Sequence, residues 1–155
     1  MCTSYLPRRA ARVCAGTVAL EALEQIARLL HGEDCSDDAP MPAEAAPGQW
    51  APAAGAPCPL DCLVVPVGGG GLASGCATVA KALFPSLLVV GAEPLAMDDA
   101  SRSKAAGCVQ GNASGATTVA DGLRTMLGPN TWPVVRDKVG SIWLIHCCRY
   151  RRKPN

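Results

Sequence analysis

The chain has 155 residues, 14 Lys and Arg against 13 Asp and Glu, a formal net charge of +1 and only 4% aromatic residues. That length fits one domain, and a balanced charge gives no electrostatic case for a nucleic-acid or polyanion partner. No apolar run approaches the ~20 residues of a membrane span; Arg8, Arg9 and Arg12 precede any acid but no apolar segment of a secretory signal follows, so the expected compartment is cytoplasmic, with organelle import left open.

Nine cysteines (Cys2, Cys14, Cys35, Cys58, Cys62, Cys76, Cys108, Cys147 and Cys148) are spaced irregularly, with no C-x-x-C pair. A structural zinc site is not expected from such spacing; reduced thiols are.

Residues 1–15 show no clear period. Gly16-Thr17 then opens a helical pattern over 16–30, with Thr17 as the expected N-cap and Leu20, Leu23, Ala27 and Leu30 at helical spacing. Glu24 and Arg28 form a favourable i,i+4 pair. Residues 31–59 are rich in Pro, Ala and Gly and poor in branched apolar residues. They cannot bury enough surface to offset their ordering entropy and are expected to be a disordered insertion. Trp50 is the insertion's one large apolar group, either a docking anchor or an exposed side chain.

Residues 60–93 carry the densest signal. CLVVPV is a short, continuous apolar run suited to a buried strand. GGGG follows it directly, and LASGCATVAKALF reads as a helix stopped by Pro85. LLVVGAE is a second buried strand. Strand, glycine loop, helix and strand make a βαβ unit with a right-handed crossover and a parallel sheet. Downstream, MDDASRSKAAG reads as a short helix and GNASGATT as a loose stretch; after VADGLRTML, NTWPVVRDKVGSIWLI reads as a helix and then a strand. The tail, 146–155, is basic and reads as a solvated end.

Four glycines between a buried strand and a helix let the backbone approach a ligand closely. Successive N–H groups then face a concavity suited to an anion, reinforced by the helix N-terminus. The chemistry implied is phosphate holding, with a purely structural turn as the plain alternative. The nucleotide P-loop pattern fails, because Lys81 lies ten residues past Gly71 and no Gly-Lys-Ser/Thr follows the loop. The dinucleotide pattern nearly fits: Gly68, Gly70 and Ala73 match G-x-G-x-x-A, and Glu93 stands where a ribose-binding acid belongs. On spacing alone a Rossmann-type dinucleotide-binding module stays open.

The stretch VPVGGGGLASGCATVAKALFPSLLVVGAEP resembles the phosphate-loop region of the serine racemase and serine/threonine dehydratase family, fold-type II enzymes that use pyridoxal 5′-phosphate (PLP). GTVALEAL, MDDASRSK, VADGLRTMLG and NTWPVVRDKVGSIWLI resemble further family segments in the family's order. The resemblance covers roughly Gly16–Leu30 and Leu60–Ile145. It implies an α/β fold: a partial open parallel sheet with flanking helices, part of the large domain of such an enzyme. It implies that Gly68, Gly69, Gly70, Gly71 and the Leu72 amide hold the PLP phosphate, and that Gly122 lies against the cofactor ring. It implies a divalent cation, Mg²⁺ or Ca²⁺, on Glu93, the Met97 carbonyl and Asp99, an all-oxygen set suited to a hard ion. Asp61 and Asn130 are weaker candidates for further cation positions. The parent reaction implied is serine racemisation, or dehydration of serine or threonine to a 2-oxo acid and ammonia. The family forms homodimers.

The chain departs from the family where catalysis is concerned. The family's cofactor-attaching lysine, the small-domain serine and the residue contacting the pyridine nitrogen have no matching motif here. Lys81, Lys104, Lys138 and Lys153 are its lysines, and none lies in the family's lysine motif. Residues 1–13 and 146–155 match nothing in the family. The expectation is a truncated chain with a cofactor wall but no catalysis of its own. The alternatives are the dinucleotide module and a non-catalytic partner of a full-length homologue. Open sheet edges further predict poor solubility in isolation.

Overall fold

A computed structural model describes residues 10–32, 51–53 and 55–146. Its elements in order are α1 (Ala10–Leu30), β1 (Cys62–Pro66), α2 (Gly71–Leu83), β2 (Leu88–Pro94), α3 (Asp99–Ala106), a short 3-10 turn (Asp121–Leu123), α4 (Trp132–Lys138) and β3 (Ser141–Ile145). Trp50 and most of the expected insertion lie outside the described residues, as does the tail beyond His146.

The three strands form one sheet in the order β1-β2-β3. Both pairings are parallel, in the registers Val65↔Gly91 and Gly91↔Ile142. This is the expected partial open parallel sheet with flanking helices. Alternation along parallel strands sends Val65, Val67 and Val89 to one face, where they join Ala73, Cys76, Ala77 and Ala80 of α2 in the core. Each of these side chains is nearly fully removed from water. The opposite face carries Val64, Leu88, Trp143 and Ile145, all exposed.

Helix α1 differs from the sequence reading at both ends. It begins at Ala10 rather than beside Thr17, so Thr17 is a mid-helix residue and not an N-cap. Ala10, Ala11 and Arg12 are strong helix formers and extend the helix backwards. At the other end Leu30 is exposed, and the buried line runs through Ala19 and Leu23. The expected Glu24–Arg28 pair forms at 2.6 Å.

The crossing of α1 over α2 explains two mid-helix glycines. A Cβ on Gly75 would lie 2.6 Å from the Ala15 carbonyl carbon, and one on Gly16 would lie 2.9 Å from Val79 Cγ2. Both positions exclude a side chain so that the two backbones can touch. Helix α4 also packs against α2, and α3 lies beside β3. Helix α2 is thus clamped on three sides: by the sheet, α1 and α4.

Candidate functional site

The glycine loop leaves the carboxyl end of β1 and turns into α2. Gly70, the residue before the helix, has φ 80° and ψ 2°, a left-handed conformation that L side chains rarely adopt. A Cβ there would also meet Leu127 Cδ1 at 2.6 Å and Thr131 Oγ1 at 2.7 Å. A left-handed residue followed by a right-handed helix turns consecutive N–H groups toward one concavity. The first ladder bond of α2 runs from Ser74 N–H to Gly70 C=O at 2.9 Å. The N–H groups of Gly71, Leu72 and Ala73 therefore precede the ladder and have no intrahelical acceptor. Gly71 and Leu72 are exposed, and a Cβ on Gly71 would meet nothing within 4 Å. The loop is thus open where an anion would enter and tightly packed behind.

Three groups from the 122–131 region form that packing. Gly122 O, Leu123 Cα and Thr125 Oγ1 lie 3.1–3.2 Å from where a Gly68 Cβ would stand. Gly122, which the family resemblance put beside the cofactor ring, is therefore brought to the loop. Thr125 and Thr131 were not singled out from the sequence. Gly69 N–H donates to Thr125 Oγ1 at 2.9 Å, and Thr131 Oγ1 donates to Gly69 C=O at 2.7 Å. Both bonds span more than fifty residues, and an isolated threonine gives no sign of such a partner.

Glu93 and Asp99 are both buried. Glu93 Oε1 accepts from Ala100 N–H at 2.8 Å and Oε2 from Ser101 N–H at 2.9 Å, so its carboxylate caps the start of α3 from the end of β2. Asp99 Oδ2 accepts from Leu127 N–H at 2.6 Å, which ties α3 to the segment packed behind the glycine loop. Burial pushes the Glu93 carboxyl up to about 7; its two amide hydrogen bonds oppose this, and Asp99 and Asp98 add to it. Met97, between the two acids, is buried as well. A carboxylate oxygen bound by one amide keeps a second lone pair, so the oxygens of Glu93 and Asp99 retain acceptor capacity. The ribose-binding alternative fits poorly, because Glu93 is 1% exposed with both oxygens turned into α3.

Of the weaker candidates, Asp61 is not brought to this acid pair. Asp61 precedes Cys62↔Leu88 at the amino end of the strands, level with Leu87 and so six residues along from Glu93, or about 20 Å at the strand rise. Asn130 is exposed in the turn before α4. Lys81 Nζ donates to Pro85 C=O at 3.1 Å, beyond the far end of α2. Lys104 Nζ is held by the carbonyls of Arg136 and Val139, and burial lowers its pKa. Lys153 lies outside the described residues.

A cavity of about 520 Å³ opens at the carboxyl ends of β2 and β3, lined by Pro94, Thr118, Arg124 and His146 among others. That is the end of the sheet from which the glycine loop emerges, and where open α/β sheets bind ligands. A larger, mostly apolar cavity of about 760 Å³ lies beside Phe84, Cys58 and the end of α1, at the opposite end of the strands. Among the described residues, Cys58, Cys62, Cys76 and Cys108 are free thiols, and no helix is long and apolar enough to cross a membrane.

Comparison with known proteins matches residues 45–146 to the family described as pyridoxal-phosphate dependent enzyme. Serine racemase of Oryza sativa subsp. indica is 50% identical over 86 residues, covering 56% of this chain and 25% of that protein. The structure of maize serine racemase superposes with a TM-score of 0.65 at 36% identity, over 88% of this chain and 33% of that one. The T.th. threonine deaminase structure gives 0.64 at 36% identity, over 85% and 38%. The chain spans about a quarter of the length of the curated relatives it matches.

Proposed function

Because the chain belongs to the pyridoxal-phosphate dependent enzyme family, we propose that its glycine loop holds the phosphate of PLP in a serine racemase-like protein. Gly68, Gly69, Gly70 and Gly71 and the Leu72 amide form the cup, and Gly122 lies against the cofactor ring. The observation that carries this reading is the left-handed Gly70 feeding into α2, with Gly71 open to solvent and Gly68–Gly70 closed behind. A tetrahedral dianion matches a set of converging amides at a helix N-terminus. Any side chain on Gly68 would push away the segment carrying Gly122.

Glu93, the Met97 carbonyl and Asp99 are the proposed divalent-cation ligands. What supports this is the donor set, all oxygen and suited to Mg²⁺ or Ca²⁺, and the burial of two neighbouring carboxylates that accept hydrogen bonds from the backbone amides of Ala100, Ser101 and Leu127. A cation there would lock the β2–α3 junction and, through the Asp99 bond to Leu127, the segment behind the cup.

The parent reaction proposed is serine racemisation or dehydration, on a serine or threonine substrate. PLP, when bound, supplies the electron sink that such chemistry needs. The chain's own contribution is to bind the phosphate and orient the ring. Lys81 and Lys104 are engaged elsewhere, and Lys138 closes α4 at the end opposite Thr131, the residue bonded to the loop. The chain by itself is accordingly proposed to bind the cofactor without turning over substrate. Its proposed setting is cytoplasmic.

The test is equilibration of the full chain with PLP, pyridoxal and NADH, followed by borohydride reduction and peptide mapping. The expected result is phosphate-dependent binding of PLP without a stoichiometric lysine adduct. A single lysine modified at full yield overturns the non-catalytic part. Equal affinity for pyridoxal and PLP overturns the phosphate cup, and tight NADH binding instead restores the dinucleotide reading.

A further inference from the structure

We infer that Thr131 is a positioning residue of the cup, whose hydroxyl sets the Gly69–Gly70 peptide so that the Gly70 N–H faces the bound phosphate. The inference rests on the phosphate reading of the loop and names the group that holds the loop ready.

The geometry runs through one peptide unit. Thr131 Oγ1 donates to Gly69 C=O at 2.7 Å, and Gly128 N–H donates to the same oxygen at 3.2 Å. The hydroxyl has a single proton; Gly128 C=O, at 3.0 Å, is the longer of its two acceptors, so Gly69 C=O is assigned the bond. The peptide is trans, so Gly70 N–H points opposite to Gly69 C=O. Fixing the carbonyl toward Thr131 turns that N–H away from α4 and toward the open side of the loop. Thr131 is itself fixed, because Ser74 Oγ in the first turn of α2 donates to Thr131 C=O at 3.3 Å. The turn before α4 is thereby bonded both to the glycine loop and to the helix that follows it.

The loop needs such a hold. Four glycines in a row have the widest backbone freedom available to a chain, and ordering them at the moment of binding weakens affinity. The left-handed Gly70 brings its neighbours against Thr131 with no room for a Cβ. Glycine and threonine thus form one matched contact.

The experiment compares full-length wild type, Thr131→Val and Thr131→Ser by calorimetric titration. The probes are deoxypyridoxine phosphate and deoxypyridoxine, which lack the aldehyde and cannot react with surface lysines. Thr131→Val is expected to weaken the phosphate-bearing probe by about five- to tenfold, the worth of one hydrogen bond to the loop. It is expected to leave the phosphate-free probe unchanged, and Thr131→Ser to restore wild-type affinity. Wild-type affinity for the phosphate probe in Thr131→Val, or an equal loss for both probes, overturns the inference. If wild type itself ignores the phosphate, the cup reading fails and the inference with it. Should Thr131→Val not fold, the wild-type Gly70 amide resonance decides. It is expected to shift with inorganic phosphate alongside Gly71 and Leu72, and a still Gly70 beside two shifting neighbours overturns the assignment.

Discussion

Alanine at Gly70 and at Gly71 should have opposite effects although the two sites are adjacent. Gly70 has φ 80°, and the left-handed region costs an L residue about 1–2 kcal/mol. Its new Cβ would also stand 2.6 Å from Leu127 Cδ1 and 3.0 Å from Thr131 Cβ. Relieving such overlap typically costs about 1–3 kcal/mol. Gly70→Ala is therefore expected to lose about 2–5 kcal/mol in all. Gly71 opens α2 with ordinary helical geometry and nothing within 4 Å of a new Cβ. Gly71→Ala reduces the freedom of the unfolded chain and is expected to gain about 0.4–1 kcal/mol. The assay is urea unfolding of the full chain followed by circular dichroism, with equal m-values as the condition for comparing midpoints. A neutral Gly70→Ala, or a Gly71→Ala as damaging as its neighbour, would refute the backbone reading of the loop.

Other perturbations test the surrounding parts. Thr125→Ala removes the acceptor that holds Gly69 N–H and loosens the loop; affinity for deoxypyridoxine phosphate should fall about two- to fivefold, and calorimetry showing a rise would contradict this. In a chelator, Glu93 makes stability depend on pH. Its folded pKa is raised from 4.5 to about 7, so the folded chain keeps a proton that the unfolded chain releases across that window. Stability is then greatest below pH 4.5 and declines toward pH 7 by on the order of 3 kcal/mol. Urea midpoints should show this slope in wild type and lose it in Glu93→Gln; a wild-type curve flat from pH 4.5 to 7 would contradict the burial argument. Trp143 is 51% exposed on the sheet face that also shows Val64, Leu88 and Ile145. Trp143→Gln should raise the concentration at which light scattering finds monodisperse protein, and no change would place the liability elsewhere.

The parts of the fold readable in the sequence were those set by local pattern. The β1–loop–α2–β2 unit follows from two apolar runs around a glycine-rich turn, and its boundaries hold to within one or two residues. The end of α2 was legible from Pro85. The start of α1 was not, because Gly16 looks like a helix breaker until α2 is seen packing against it. Leu30 looked like a core position by spacing alone, but α2 covers only the earlier turns of α1, around Ala19 and Leu23. In the site, Gly68–Gly71 announced an anion cup by composition. Glu93 was ambiguous between ribose and cation, and its burial and its bonds to Ala100 and Ser101 weigh against the ribose role. Thr125 and Thr131 were invisible, since their roles depend on bonds reaching across the chain to Gly69.

The central claim, that this loop is a phosphate cup, is tested most directly by a crystal structure of the full chain with deoxypyridoxine phosphate. The account predicts phosphate oxygens within about 3 Å of the Gly70, Gly71 and Leu72 amide nitrogens, with the ring beside Gly122. A phosphate bound to the basic residues Arg149, Arg151 and Arg152 instead, with the loop amides left to water, would contradict it.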